Sequence, residues 1–120
     1  MAGNLSTLGA DILAALQGVL GGAYGKVQGQ AEKEAQYFAV QAAMTTKARI
    51  DGEYDDEQLQ WFLAKLQGQA ENFCRVLCAQ TILTLEEAWN AIVGVVWTAI
   101  NGALSAAGLG ILAVPVAPAA

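Results

Sequence analysis

The sequence predicts an all-α fold: a long antiparallel helical hairpin with helices over about 5–50 and 57–112, a turn at 51–56 and an extended C-terminal tail. Three observations carry this. Both prolines, Pro115 and Pro118, lie near the C-terminus, so nothing before Val114 forbids helix. One strong stop-and-start signal, "IDGEYDDEQL", interrupts the chain at 50–59. On either side of it, apolar residues recur at helical spacing.

The first helix begins with small residues. Ala10, Ala14, Gly18 and Gly22 recur every fourth position, and Gly21, Gly25 and Gly29 repeat the pattern. An interior helical Gly costs about 1 kcal/mol against Ala in water. Small residues every fourth position offset that cost when they let two helices approach closely. The alternative is a break of this helix at Gly21-Gly22. Further along, Ala31, Ala35, Phe38, Ala42 and Thr45 form a stripe flanked by Tyr37, Val40 and Met44.

Gly52 suits a helix C-terminus at positive φ, with Lys47 and Arg49 in the turn before it. Asp55 or Asp56 then caps the second helix, and Asp56 and Glu57 favour its first turn. Leu59, Leu63, Leu66, Ala70, Phe73 and Leu77 follow as a heptad-like seam. The two stripes face each other across the turn as core. Beyond Glu87 the chain carries no charge, and small residues return as Gly94, Thr98, Gly102, Ala106 and Gly110. Folding the hairpin back sets Gly18 opposite Trp89 and Ala10 opposite Trp97, small against large.

The 120 residues are expected to form one domain with two unlike ends. Residues 26–87 form a charged arm holding all 6 basic residues and every acidic residue except Asp11. Residues 1–25 and 88–114 form an apolar arm. Charged residues make up only 14 % of the chain and hydrophobic ones 55 %, much of that Ala, so the core depends on close backbone approach. A helical arm of 25 residues is about 37 Å long, against roughly 30 Å of bilayer hydrocarbon. The C-terminal arm is therefore long enough to span, and the N-terminal arm, residues 1–25, is marginal but adequate. Asp11 tempers that reading, since a carboxylate within an apolar arm needs a partner or a water-filled lumen.

The chemistry expected is sparse. The chain has no histidine, which removes the common triads and histidine bases, and GxGxxG does not occur. Cys74 and Cys78 lie four apart, a poor geometry for a disulfide and too few ligands for zinc, so they read as buried and reduced. Glu32–Glu34 and Glu86–Glu87 read as solvated helix faces. No enzyme activity, metal or cofactor is expected. A net charge of −5 without a basic cluster argues against specific nucleic-acid binding, although DNA could pass through an acidic assembly.

The expected function is therefore non-enzymatic: a self-assembling structural or membrane-active subunit of an oligomeric ring, tube or channel. The expected partner is a second copy. Ala10, Ala14, Gly18, Gly22, Gly94, Thr98, Gly102, Ala106 and Gly110 are its expected contact residues, and Asp11 a lumen-facing or buried acid. The texture is similar to that of virion internal and DNA-ejection proteins and of holins, carried by no motif. The uncharged ending "VPVAPAA" departs from the charged tail of a holin. The alternatives are a holin-like membrane protein or a soluble helical-hairpin module, though the turn lacks the Trp-x-Gly of small secreted hairpins. The N-terminus lacks the positive region of a signal peptide, so the expected location is a membrane or a virion-like assembly, reached without cleavage.

Overall fold

A computed structural model describes residues 5–118. Among the described residues every regular element is helical. A 3₁₀ turn, Leu5–Thr7, leads into α1 (Leu8–Leu20), and a second, Gly21–Lys26, leads into α2 (Gln28–Ile50). Next come α3 (Asp56–Gln80) and α4 (Leu85–Trp89). A π-helical segment, Asn90–Gly94, carries α4 without a break into α5 (Val95–Ala106). The chain thus makes four rods rather than two, and three departures from the expected hairpin have identifiable causes.

The first rod breaks at Gly21, whose φ of +56° favours glycine. That is the alternative break considered above. The second departure lies at Thr81–Thr84, where one continuous helix was expected. Thr81 Oγ1 donates to the Leu77 carbonyl at 2.6 Å and accepts from Leu83 N–H at 3.2 Å, ending α3. Thr84 then opens α4 with a capping box. Glu87 N–H donates to Thr84 Oγ1 at 3.1 Å, and Thr84 N–H donates to Glu87 Oε1 at 3.0 Å. The third departure is the end of the last rod at Ala106 instead of about 112. Gly108, at φ +80°, donates to Ser105 O at 3.0 Å, while Leu109 N–H reaches Leu104 O at 2.9 Å. That pair of bonds is a Schellman motif.

The turn after α2 uses the same device. Gly52 sits at φ +82°, with Gly52 N–H on Arg49 O at 3.2 Å and Glu53 N–H on Ala48 O at 2.8 Å. Lys47 pairs with Asp51, and Arg49 Nε donates to Asp56 at 2.9 Å. Asp55 caps α3 in a second capping box, with Gln58 N–H donating to Asp55 Oδ1 at 2.8 Å.

Each rod packs on the next, and the first also meets the last. α2 lies against α1, α3 and α5, while α1 lies against the π segment and α5. The molecule measures 42 × 29 × 18 Å. The two expected stripes, on α2 and α3, are buried at every position, and Phe38 meets Phe73 with ring centres 6.4 Å apart. From α1 the core takes Leu8, Ile12, Leu16 and Leu20, and from the last rod Trp89, Ile92, Val93, Val96, Trp97 and Ile100. Fully burying a Leu, Ile or Val side chain is worth about 1.5–3 kcal/mol, so large side chains claim the inward faces.

Candidate functional site

The expected contact stripes lie on the outside of the molecule. Ala10, Ala14, Gly18 and Gly22 are exposed, as are Thr98, Gly102, Ala106 and Gly110, and Gly94 is half-buried. A Cβ added at Gly18, Gly22, Gly94 or Gly110 would meet nothing within 4 Å. Among the described residues, then, Gly18, Gly22, Gly94 and Gly110 mediate no close helix contact. The two apolar arms do meet, but α1 turns its leucines and Ile12 inward. Trp89 and Trp97 are buried while Gly18 and Ala10 face out, so the expected small-against-large pairing does not form. Gly110 also lies past the end of α5, off any helical stripe. At Gly9 an added Cβ would come into ordinary contact with a neighbouring helix, 3.7 Å from Ala39 Cβ and 3.8 Å from Ala35 O.

Asp11 is half-buried in the first turn of α1 and accepts from Thr7 Oγ1 at 3.0 Å. A carboxylate there is favoured by the positive end of the helix dipole, which gives it a local structural role. Thr98, the most polar member of the stripes, donates from Oγ1 to the Gly94 carbonyl at 2.7 Å, beside the π segment whose hydrogen bonding is irregular.

By length and composition, Leu5–Lys26 could cross a membrane, with a mean hydropathy of 1.3 over its most apolar window. The same description fits a helix lying on the core of a soluble protein. Here the stretch bends at Gly21 and buries one face. The C-terminal arm expected to span is helical only as far as Ala106.

Grooves run between the rods. One, of about 480 Å³, lies between α1 and α2 and is lined by Gly9, Ala10, Leu13, Ala35, Ala39 and Val40 among others. A second, of about 310 Å³, lies between α2 and α3 and is lined mainly by Gln30, Glu34, Tyr37, Gln69, Asn72 and Val76. Near the turn Tyr54 stacks on Phe62 at 4.8 Å, and Lys65 sits 4.5 Å above Trp61.

Burial pushes the Cys74 thiol up to about 12, and it raises the half-buried Cys78 as well. Both are free thiols that stay protonated at neutral pH, unlike a nucleophilic or metal-binding cysteine. Among the described residues no group of three or more His, Cys, Asp or Glu is placed to hold a metal.

The segment after Ala106 was missed as a contact. It turns back onto the last rod, where Trp89 Nε1 donates to Pro115 O at 2.9 Å. Asn101 holds Leu112 by both main-chain groups, donating to its carbonyl at 2.8 Å and accepting its N–H at 2.7 Å. Leu109, Leu112 and Ala117 pack on the core. Nothing in the spacing of Asn101 and Leu112 signals this pairing, because it depends on where the chain reverses. Compared with known proteins, the chain matches no family model, no curated sequence and no solved structure.

Proposed function

We propose that this chain is a non-enzymatic, self-associating helical subunit of a larger structural assembly, such as a ring or tube. One observation supports the reading above others: among the described residues the stripes on α1 and α5 lie exposed, and an added Cβ at Gly18 would meet nothing within 4 Å. Gly18, inside α1, costs about 1 kcal/mol against Ala. Its open Cβ position shows no close approach that offsets this. A contact between copies is where such a cost is recovered, because small residues let two helices come together along their backbones. The exposed faces of α1 and α5 are the proposed contact surfaces, with Ala10, Ala14, Gly18, Thr98, Gly102 and Ala106 at their centres. Val40 and Met44 on α2, which are 46 % and 63 % exposed, extend the apolar surface beside α1.

A membrane-inserted form of the assembly, or a virion-internal one, is the finer version of this reading, and Leu5–Lys26 favours the membrane. The test is particle size by light scattering and sedimentation, in plain buffer and in detergent, for the wild type, Gly18→Leu and Gly102→Leu. Expected is an oligomer that either variant disrupts while helix content is kept. A wild type that is monomeric in both media removes the proposal. A particle that forms only with detergent or liposomes selects the membrane version.

A further inference from the structure

The last rod carries two side chains that read main chain. Asn101 pairs with the N–H and C=O of one residue, Leu112, and Trp89 Nε1 binds the carbonyl of Pro115 three residues on. Trp89 is 1 % exposed, so this bond satisfies a donor that would otherwise be buried and unpaired. Both contacts come from a helix and neither depends on the side chains of the bound segment. Pro115 has no N–H to satisfy and a fixed φ, which suits an extended ligand that makes no ladder of its own. These contacts seat the chain's own extended, proline-containing segment on the last rod.

The connection is longer than that arrangement needs. Asn101 lies five residues before Ala106, about 7.5 Å back along the helix. The six residues 107–112 can span roughly 20 Å when extended. Gly108, at φ +80°, supplies the reversal. The segment also leaves apolar side chains outside: Ile111 is 70 % exposed, Val114 47 % and Val116 87 %. Release of this segment would leave the Trp89 donor unpaired and uncover the core under Leu109, Leu112 and Ala117, so an equivalent segment must replace it.

We infer that the same face of the last rod binds the Leu112–Pro115 segment of a second copy, in exchange for its own. The inference rests on the self-association reading and names a route for it. Every copy offers one site and one segment, so the exchange closes a dimer when reciprocal and makes rings or filaments when it runs head to tail. In the exchanged form Ile111, Val114 and Val116 lie between copies. The closed and exchanged forms make the same hydrogen bonds, so the local concentration of the tethered segment, on the order of millimolar, sets the competition. Exchange therefore shows at comparable protein concentrations, or lower where the apolar side chains add contacts.

The experiment mixes isotope-labelled and unlabelled full-length chains at about millimolar concentration. Isotope-filtered NMR then detects contacts between the labelled Trp89 indole and unlabelled Val114–Pro115, with light scattering on the same sample. Intermolecular cross-peaks in the associated fraction are expected. Asn101→Ala, checked for helix content, should weaken the Trp89–Pro115 contacts within and between chains alike, because both forms use the same bidentate contact. Loss of the contacts within a chain alone would overturn the shared site. An excess of synthetic peptide covering residues 109–118 should also compete the intermolecular cross-peaks away. Particles that associate while all Trp89 contacts stay within one chain overturn the exchange and leave self-association standing. A monomer at every concentration overturns both.

Discussion

The charged pair α2–α3 and the apolar pair made by α1 and the last rod obey the same packing rule, yet they display it differently. In α3 polar residues mark the outward face, so Leu59, Leu63, Leu66, Ala70, Phe73 and Leu77 stand out as the inward one. In α1 nearly every residue is apolar, and the faces differ mainly by large apolar residues against small ones, with Asp11 and Gln17 off the buried stripe. Leu8, Ile12, Leu16 and Leu20 go in, because each buries more area, and Ala10, Ala14 and Gly18 are left outside. The orientation of α1 thus follows the sizes of its apolar residues, whereas α2 turns Ala31, Ala35 and Ala42 inward and leaves Val40 and Met44 outside.

The largest test of this contrast uses the two tryptophans. Trp89, buried in the last rod, should cost about 3–5 kcal/mol on replacement by Ala, read as a shift in the urea midpoint. Trp61, 57 % exposed on α3, should cost about 0.5 kcal/mol despite its contacts with Phe62 and Lys65. Equal losses would mean the two regions are not packed as described.

Two glycines sharpen it next. Gly9→Leu pushes against Ala39 and the Ala35 carbonyl and should destabilise by about 1–3 kcal/mol through overpacking. Gly18→Leu meets open space and should stabilise the isolated subunit by up to about 1 kcal/mol, since Leu is the better helix former, while disrupting oligomers. Chemical unfolding at low concentration separates the two effects. If Gly18→Leu destabilises the monomer more than Gly9→Leu, the outward placement of the stripe is wrong.

The two capping boxes allow a closer comparison, one at each end of the charged pair. Asp55→Ala and Thr84→Ala should each cost about 1 kcal/mol. Hydrogen exchange should show the Thr84 variant opening around 84–88 and the Asp55 variant around 55–59. Loss of protection across the whole chain in either variant would show that the caps are not local devices.

The smallest effect expected is a pH dependence. Hydrogen bonds from the Thr84 N–H, and then its hydroxyl, hold the Glu87 carboxyl below its ordinary range. A lowered folded-state pKa means that the cap's contribution is present above the ordinary carboxylate range. It is lost as pH falls through the folded value. Glu87→Gln keeps an acceptor but cannot titrate, so its stability should fall less steeply with acid. Matching slopes for the two proteins would remove Glu87 from the account.

Some of this architecture could be read directly. Gly52 stood out because Lys47, Arg49 and a run of acids flank it, and the Asp55 cap follows at the right distance. Gly108 closes α5 by the same pair of hydrogen bonds but sits among Ala, Gly and Leu, where one glycine looks like the next. The Thr84–Glu87 box was legible in "TLEE" and was overlooked because the apolar period runs on across it. For the candidate surface, spacing picked out the small-residue stripes but not the side of the helix on which the core would leave them.

By itself the sequence determined the helical class, the reversal near Gly52 and the inward faces of α2 and α3. Those follow from local propensity, caps and an alternation of polar with apolar residues, all of which act over a few positions. Only the tertiary structure decided the orientation of α1 and of the last rod, the approach at Gly9, and the docking of Leu112 and Pro115 on Asn101 and Trp89. Each of these depends on competition between distant segments for the same buried space, and on where a reversal such as that at Gly108 delivers the chain.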